Sequence, residues 1–452
     1  MDQPHQALSP DEVVRAGLCV GCGGCAGLRA EALEMKLDAF GQLKPRGPAA
    51  EVASLAFART CPFSPGAADE DAIATARFPA ATGRDERLGR HEATYIGYVA
   101  EGDYRARASS GGLATWTAAT LMERGLIDAV AHVAPDPGER LFSYVVSRNV
   151  DALRAGAKSR YYPVELSGVV RAILAAPGRY AVIGVPCFIK AIHLLRAQDP
   201  RLAERITHTI ALFCGHMKSA RMAESFAWQM DARLEDAEGF DFRLKIPDQP
   251  ANWYVAAIDL PGGDQRRKHW WDMDDGDWGA GFFQNSACDW CDDVAGETAD
   301  LTVGDAWIEP YSADGRGHNV AIVRDPALHV LFEEAAADGR LALTPATADT
   351  VAETQAAAFR QRREGLAYRL AVTPPALPLA KRVAPRTDLP PRRKLIYSAR
   401  RHIARTSHRL FWLARRLRRP ALYRAWARSV LSVYVALAYG RGRLGKILDR
   451  WR

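Results

Sequence analysis

Eight cysteines carry most of the chemistry this sequence offers: Cys19, Cys22, Cys25, Cys61, Cys187, Cys214, Cys288 and Cys291. The first three stand two residues apart from one another in "CVGCGGC". Zinc sites more often pair two distant CxxC knuckles than take three thiolates from one loop. An iron–sulfur cubane can take three cysteines from a turning loop and the fourth from elsewhere. Gly21, Gly23 and Gly24 let the loop wrap and turn backbone N–H groups toward sulfides. Arg29 stands where a compact motif would place its fourth cysteine, so that ligand is expected at Cys61, which precedes Pro62. The spacing points to one 4Fe–4S cluster on Cys19, Cys22, Cys25 and Cys61, with zinc or a plain reduced-thiol loop as the alternative.

The remaining four cysteines form a second set. Cys187 follows the apolar run of "VIGVPC" and Cys214 that of "IALFC", while Cys288 and Cys291 make a CxxC in "SACDWCDD". In open α/β sheets ligands gather beyond the carboxyl ends of strands, where Cys187 and Cys214 are expected. Any one of the four is compatible with a buried inert cysteine. Together they point to a second 4Fe–4S cluster, with a structural zinc as the rival.

Several elements must position these residues. "SPDEVVRAG" starts a helix, with Ser9 as N-cap and Glu12 as capping-box partner. "ALEMKLDAFGQLKP" alternates like a hairpin around Gly41. From Ala93 onward strand and helix patterns alternate. "TYIGYVA", "IDAVAHVA", "LFSYVVS", "RYAVIGVP", "HTIALFC", "ADLTVGDAW" and "NVAIVRD" read as strands. The expected fold class is α/β (α+β overall), with a ferredoxin-like cluster module over 1–80, mixed-sheet α/β units over 90–176 and 177–345, a Pro/Arg-rich linker over 372–394 and a helical tail over 395–452. Residues 237–285, rich in Trp, Asp and Gly, give no clear pattern.

The chain has 452 residues and a net charge of +7, which hides an uneven distribution. Residues 381–452 hold 21 Lys and Arg against 2 acids, a net of +19, and residues 1–380 hold 39 against 51, a net of −12. No apolar run reaches membrane-spanning length, and the acidic start lacks a signal core, so a cytoplasmic protein with reduced cysteines is expected.

The ordered set "GLCVGCGGC", "SSGGLAT", "KSRYYPVE", "VIGVPCFIKAI", "ALFCGH", "CDWCDDVAGETADLTVGDAW" and "RGHNVAIVRD" resembles the beta-subunit family of deazaflavin-coenzyme-reducing hydrogenases and dehydrogenases, over roughly residues 10–345. Ferredoxin-dependent relatives that reduce chlorophyll-type pigments share it, and bacterial relatives occur in cell-surface polysaccharide gene neighbourhoods. The resemblance implies FAD, electron relay and oxidoreductase activity, with no particular substrate. Ser109, Ser110, Gly111 and Gly112 open a helix in a way that suits a diphosphate, though alone the motif reads as a helix cap. Lys158, Ser159, Arg160 and Tyr161 supply charge and an aromatic ring near a flavin, or only a solvated loop. Asn319, Asp305 and His216 are weaker candidates.

Two functional classes follow. One is an oxidoreductase in which electrons pass from a ferredoxin or similar donor through two clusters to FAD and an organic substrate. The other is an electron-transfer or scaffold subunit without its own substrate, docked at the membrane. The basic tail fits peripheral contact with the anionic inner face of a membrane, an acidic protein, or the acidic body itself. No motif supports specific nucleic-acid binding.

Overall fold

The alternation after residue 90 builds one eight-stranded sheet in the computed structural model, which describes residues 6–29, 31–136, 138 and 140–441. The strands in chain order are β1 (Glu34–Leu37), β2 (Leu43–Arg46), β3 (Gly83–Asp85), β4 (Gly89–His91), β5 (Ala93–Val99), β6 (Ala129–Pro135), β7 (Phe142–Ser147), β8 (Tyr180–Gly184), β9 (Ile206–Leu212), β10 (Gly239–Leu244), β11 (Val255–Asp259), β12 (Gln265–His269), β13 (Leu301–Asp305), β14 (Asn319–Val323) and β15 (Leu341–Pro345). The large sheet runs β15-β5-β14-β13-β9-β8-β6-β7. Its middle, β6, β8, β9 and β13, is parallel. Antiparallel strands close both edges. Parallel strands are covered on both faces, and Val182, Ile210, Ala211 and Val303 are accordingly buried. The mixed sheet agrees with the expected α/β class.

The N-terminal residues form the capped helix Pro10–Arg15, with Ser9 and Glu12 bonded reciprocally, and the β1–β2 hairpin. A short helix, Leu55–Thr60, ends at Cys61. The segment 237–285 contains a three-stranded antiparallel sheet, β10-β11-β12.

The basic tail folds as a helical hairpin, Pro391–Arg416 and Pro420–Tyr439, laid back on the body. Phe411 stacks on Trp228 at 4.3 Å, and Ile403, Phe411, Tyr423 and Tyr434 join the same apolar core as Leu18, Phe57, Phe188 and Phe283. Arg424 and Arg428 both reach Asp274, and the Tyr423 hydroxyl donates to buried Asp275. In the Pro/Arg-rich stretch before the hairpin, Lys381 pairs with buried Asp292 and Arg382 with buried Glu297. The tail residues 442–452 lie outside the described residues.

Candidate functional site

The loop that carries the first three cysteines turns through Gly21 (φ 81°) and Gly23 (φ 75°). A Cβ at Gly21 would lie 2.6 Å from the Leu43 carbonyl, so the loop packs directly on β2. Lys44 donates to the Cys19 carbonyl at 2.7 Å and Leu166 N–H to that of Cys22 at 2.8 Å. Cys61, at the C-cap of its helix, closes the ring, and Cys19, Cys22, Cys25 and Cys61 line one small cavity with Phe57, Phe63 and Val20.

The second four cysteines line another cavity. Cys187 opens the helix Pro186–Arg196 just beyond β8, and Cys214 follows β9. Cys288 and Cys291 come from a single-turn segment. All four face this cavity together with Arg362, Met217, Val20 and Phe63. The Met217 N–H already points at Cys288 Sγ, 3.3 Å away. Arg362 is buried and donates to the carbonyls of Gly215 (3.0 Å), Cys288 (2.9 Å) and Cys291 (3.3 Å).

Burial raises these thiols: Cys22 and Cys214 to about 12 and Cys291 to about 11. The guanidinium of Arg362 counters that rise at Cys214, Cys288 and Cys291. Among the described residues, no three or more His, Cys, Asp or Glu side chains converge to hold a single metal ion.

A cavity of about 290 Å³ lies beyond the carboxyl ends of β8, β9 and β13. Of the residues expected near a flavin, Ser109, Ser110, Gly112, Lys158, Ser159, Arg160 and Tyr161 line it, as do the weaker candidates Asn319, Asp305 and His216. Gly111 does not. It serves close packing instead, since a Cβ there would meet the Asn319 backbone N at 2.8 Å and the Gly97 carbonyl at 2.9 Å. Asn319 accepts from Leu113 N–H at 3.0 Å and donates to the Gly304 carbonyl at 2.8 Å, tying the helix Leu113–Glu123 to β13. Ser109 Oγ accepts from Ser159 N–H, and Ser110 Oγ donates to the His318 carbonyl. Lys158 sits at φ 134°, a strained conformation of the kind found at ligand sites. Its ammonium is paired with Asp241 at 3.0 Å.

Several residues of this cavity carry no sequence signal. Arg243 comes from β10 and forms a two-pronged pair with Asp305, both bonds 2.8 Å. Lys218, pushed down to about 7 by burial and by Arg400, lies 4.7 Å from the Trp278 ring. Trp278 stacks on His216 at 4.4 Å and packs beside Tyr161 at 4.9 Å, forming an aromatic wall. Trp270, from the same tryptophan-rich stretch, is buried as packing, whereas Trp271 is exposed.

The three cavities adjoin. Val20 and Phe63 line both cysteine cavities, and Cys214 and Met217 line both the second cysteine cavity and the one at the strand ends.

Two family models of the coenzyme F420 hydrogenase/dehydrogenase beta chain match the sequence, the N-terminal model over residues 94–171 and the C-terminal model over residues 178–349. The chain belongs to this family. Family membership makes it a protein of the oxidoreductase, electron-transfer type. A chain of the xenon-derivatised F420-reducing [NiFe] hydrogenase complex from Methanosarcina barkeri has a similar fold, with a TM-score of 0.50 and 16% identity over 67% of this chain and 99% of that one. No curated protein matches the chain. Arg362, the cysteine loop with Cys61, and the C-terminal hairpin all lie outside the residues the family models match.

Proposed function

We propose that the protein is an iron–sulfur flavoprotein oxidoreductase that takes electrons from a low-potential donor, such as a ferredoxin, and delivers them to an organic substrate at the cavity beyond the carboxyl ends of β8, β9 and β13. The observation that carries this reading is the sharing of walls by the three cavities. Cys19, Cys22, Cys25 and Cys61 would hold one 4Fe–4S cluster, Cys187, Cys214, Cys288 and Cys291 a second, and the cavity beyond β9 FAD. When bound, the clusters supply one-electron transfer and the flavin pairs electrons for two-electron chemistry.

The donor set favours clusters over zinc. Zinc sites more often pair two distant CxxC knuckles, whereas Cys19, Cys22 and Cys25 come from one turning loop and share their cavity with the distant Cys61, an arrangement that suits a cubane. Val20, Phe63 and Met217 fill the gaps between sites with apolar atoms and keep water out. In the cavity at the strand ends, Ser109, Ser110 and the N-terminus of the helix Leu113–Glu123 suit phosphate, and Tyr161 and Trp278 offer flat surfaces to a ring system. Because Asp241 neutralises Lys158 and Lys218 is pushed down to about 7, Arg160 is the full positive charge left to face a reduced ring.

A second reading, in which electrons pass on to a separate protein partner, draws support from the likeness to a chain of a multi-subunit hydrogenase complex. The test is rapid mixing with reduced ferredoxin. Reduction of the bound flavin should slow at least tenfold in Cys61→Ala with the flavin still in place. An unchanged rate would mean that electrons reach the flavin without the N-terminal site.

A further inference from the structure

The hairpin turn of the tail presents a surface that the body does not use. The underside of the hairpin is committed: Arg415 reaches Glu224, Phe411 stacks on Trp228, and Arg424 and Arg428 reach Asp274. The outer side around residues 409–422 is different. Trp412 is 39% exposed, Leu413 36%, Leu417 52% and Leu422 43%, so four of the large exposed apolar side chains fall within eleven residues. Arg409, Arg416, Arg418 and Arg419 are exposed among them, and none has a carboxylate partner among the described residues. Arg409, Leu413 and Arg416 share one helix face, at spacings of four and three residues. Arg416 lies over the Trp412 ring at 5.7 Å.

The turn itself keeps a charge where glycine is the usual residue: Arg418 follows the C-cap Leu417 at φ 54°. Unpaired arginines interleaved with Trp and Leu at a protruding turn match a bilayer interface, where apolar side chains enter the acyl boundary and cations meet lipid phosphates. An acidic protein would satisfy the arginines equally, but arginines interleaved with Trp and Leu, in place of an apolar core ringed by charge, favour a bilayer interface. No helix among the described residues is long and apolar enough to cross a membrane.

We infer that the α-helical turn formed by residues 409–422 is a peripheral membrane-contact site selective for anionic lipid headgroups. The inference does not depend on what the three cavities hold.

The experiment is vesicle flotation of the full chain, with phosphatidylcholine vesicles compared with vesicles that also contain phosphatidylglycerol. Wild type should float with the anionic vesicles only, and high salt should release it. Two variants probe the two components: Arg409, Arg416, Arg418 and Arg419 all changed to Gln, and Trp412, Leu413, Leu417 and Leu422 all changed to Ser. Each should bind at least tenfold more weakly while keeping the wild-type circular dichroism and melting temperature, because the changed side chains face outward. Flotation equal with neutral and anionic vesicles, no flotation of wild type, or full flotation of a folded variant would overturn the inference. Retention by duplex DNA or by an acidic protein in place of vesicles would overturn it equally.

Discussion

The Arg400 guanidinium donates from Nη2 to His216 Nδ1 at 3.0 Å, linking the C-terminal hairpin to the wall of the cavity at the strand ends. Because arginine can only donate, Nδ1 is the acceptor and the His216 proton resides on Nε2. That Nε2 is buried without a protein partner, in a ring that lines the cavity. A buried donor left unpaired costs about 1–3 kcal/mol, so a ligand that accepts from it gains that amount. Arg400→Gln should therefore weaken flavin or substrate binding about tenfold and leave the iron content unchanged. Titration of the apoprotein with FAD, followed by fluorescence, reads this directly, and an unchanged dissociation constant for FAD and substrate would remove His216 from the site.

The two cysteine sets should be separable. Cys61→Ala should lose about half of the iron and acid-labile sulfide, and Cys288→Ala the other half, because each cavity is lined by its own four cysteines. Iron and sulfide assays on anaerobically purified variants check this. A single substitution that empties both sites would show that the ligands are shared.

Arg362 places a positive charge beside Cys214, Cys288 and Cys291. A cation near a cluster favours its more negative, reduced state. Arg362→Gln should lower the midpoint potential of that site by roughly 60 mV, which is a tenfold change for one electron. Arg362→Lys, which keeps the charge, should shift it less. Potentiometric titration monitored by electron paramagnetic resonance distinguishes the two.

Stability should fall in mild acid. Burial pushes His132 and His408 down to about 4 from about 6.5. His408 donates from Nδ1 to the Ala404 carbonyl at 2.8 Å and accepts from Gln42 at 3.2 Å, tying the hairpin to the N-terminal module. Both histidines are neutral when folded, and the unfolded chain binds their protons first. The stability they contribute is therefore complete above about pH 6.5 and is lost as pH falls toward 4. The loss approaches about 3 kcal/mol for each. Urea midpoints measured from pH 7.5 to pH 5 should decline, and His408→Gln should flatten the decline.

Much of this arrangement is legible in the sequence where a local pattern coincides with a strand end. "VIGVPC" and "IALFC" place Cys187 and Cys214 at the carboxyl ends of β8 and β9 because buried parallel strands read as apolar runs. The three-stranded sheet β10-β11-β12 escapes notice because β12, "QRRKH", is largely exposed and shows no alternation. Arg362 and Arg400 are equally hidden. Each sits in an arginine-rich helix that reads as a solvated surface, and only tertiary packing turns it inward to a carbonyl or a histidine. The tail's charge is legible, but its division between Asp274, Glu224 and the outward turn is not, because those partners lie about 150 residues or more away along the chain. Composition reports how much charge there is and says nothing of where it docks.

Two cluster sites feeding one flavin site would give the protein a defined cofactor stoichiometry. Iron, acid-labile sulfide, zinc and flavin measured together on anaerobically purified full-length protein test it most directly. The expected result is the iron and sulfide of two four-iron clusters and one FAD per chain, with no stoichiometric zinc. Stoichiometric zinc without sulfide, or a protein free of flavin that cannot be reconstituted with it, would contradict the account.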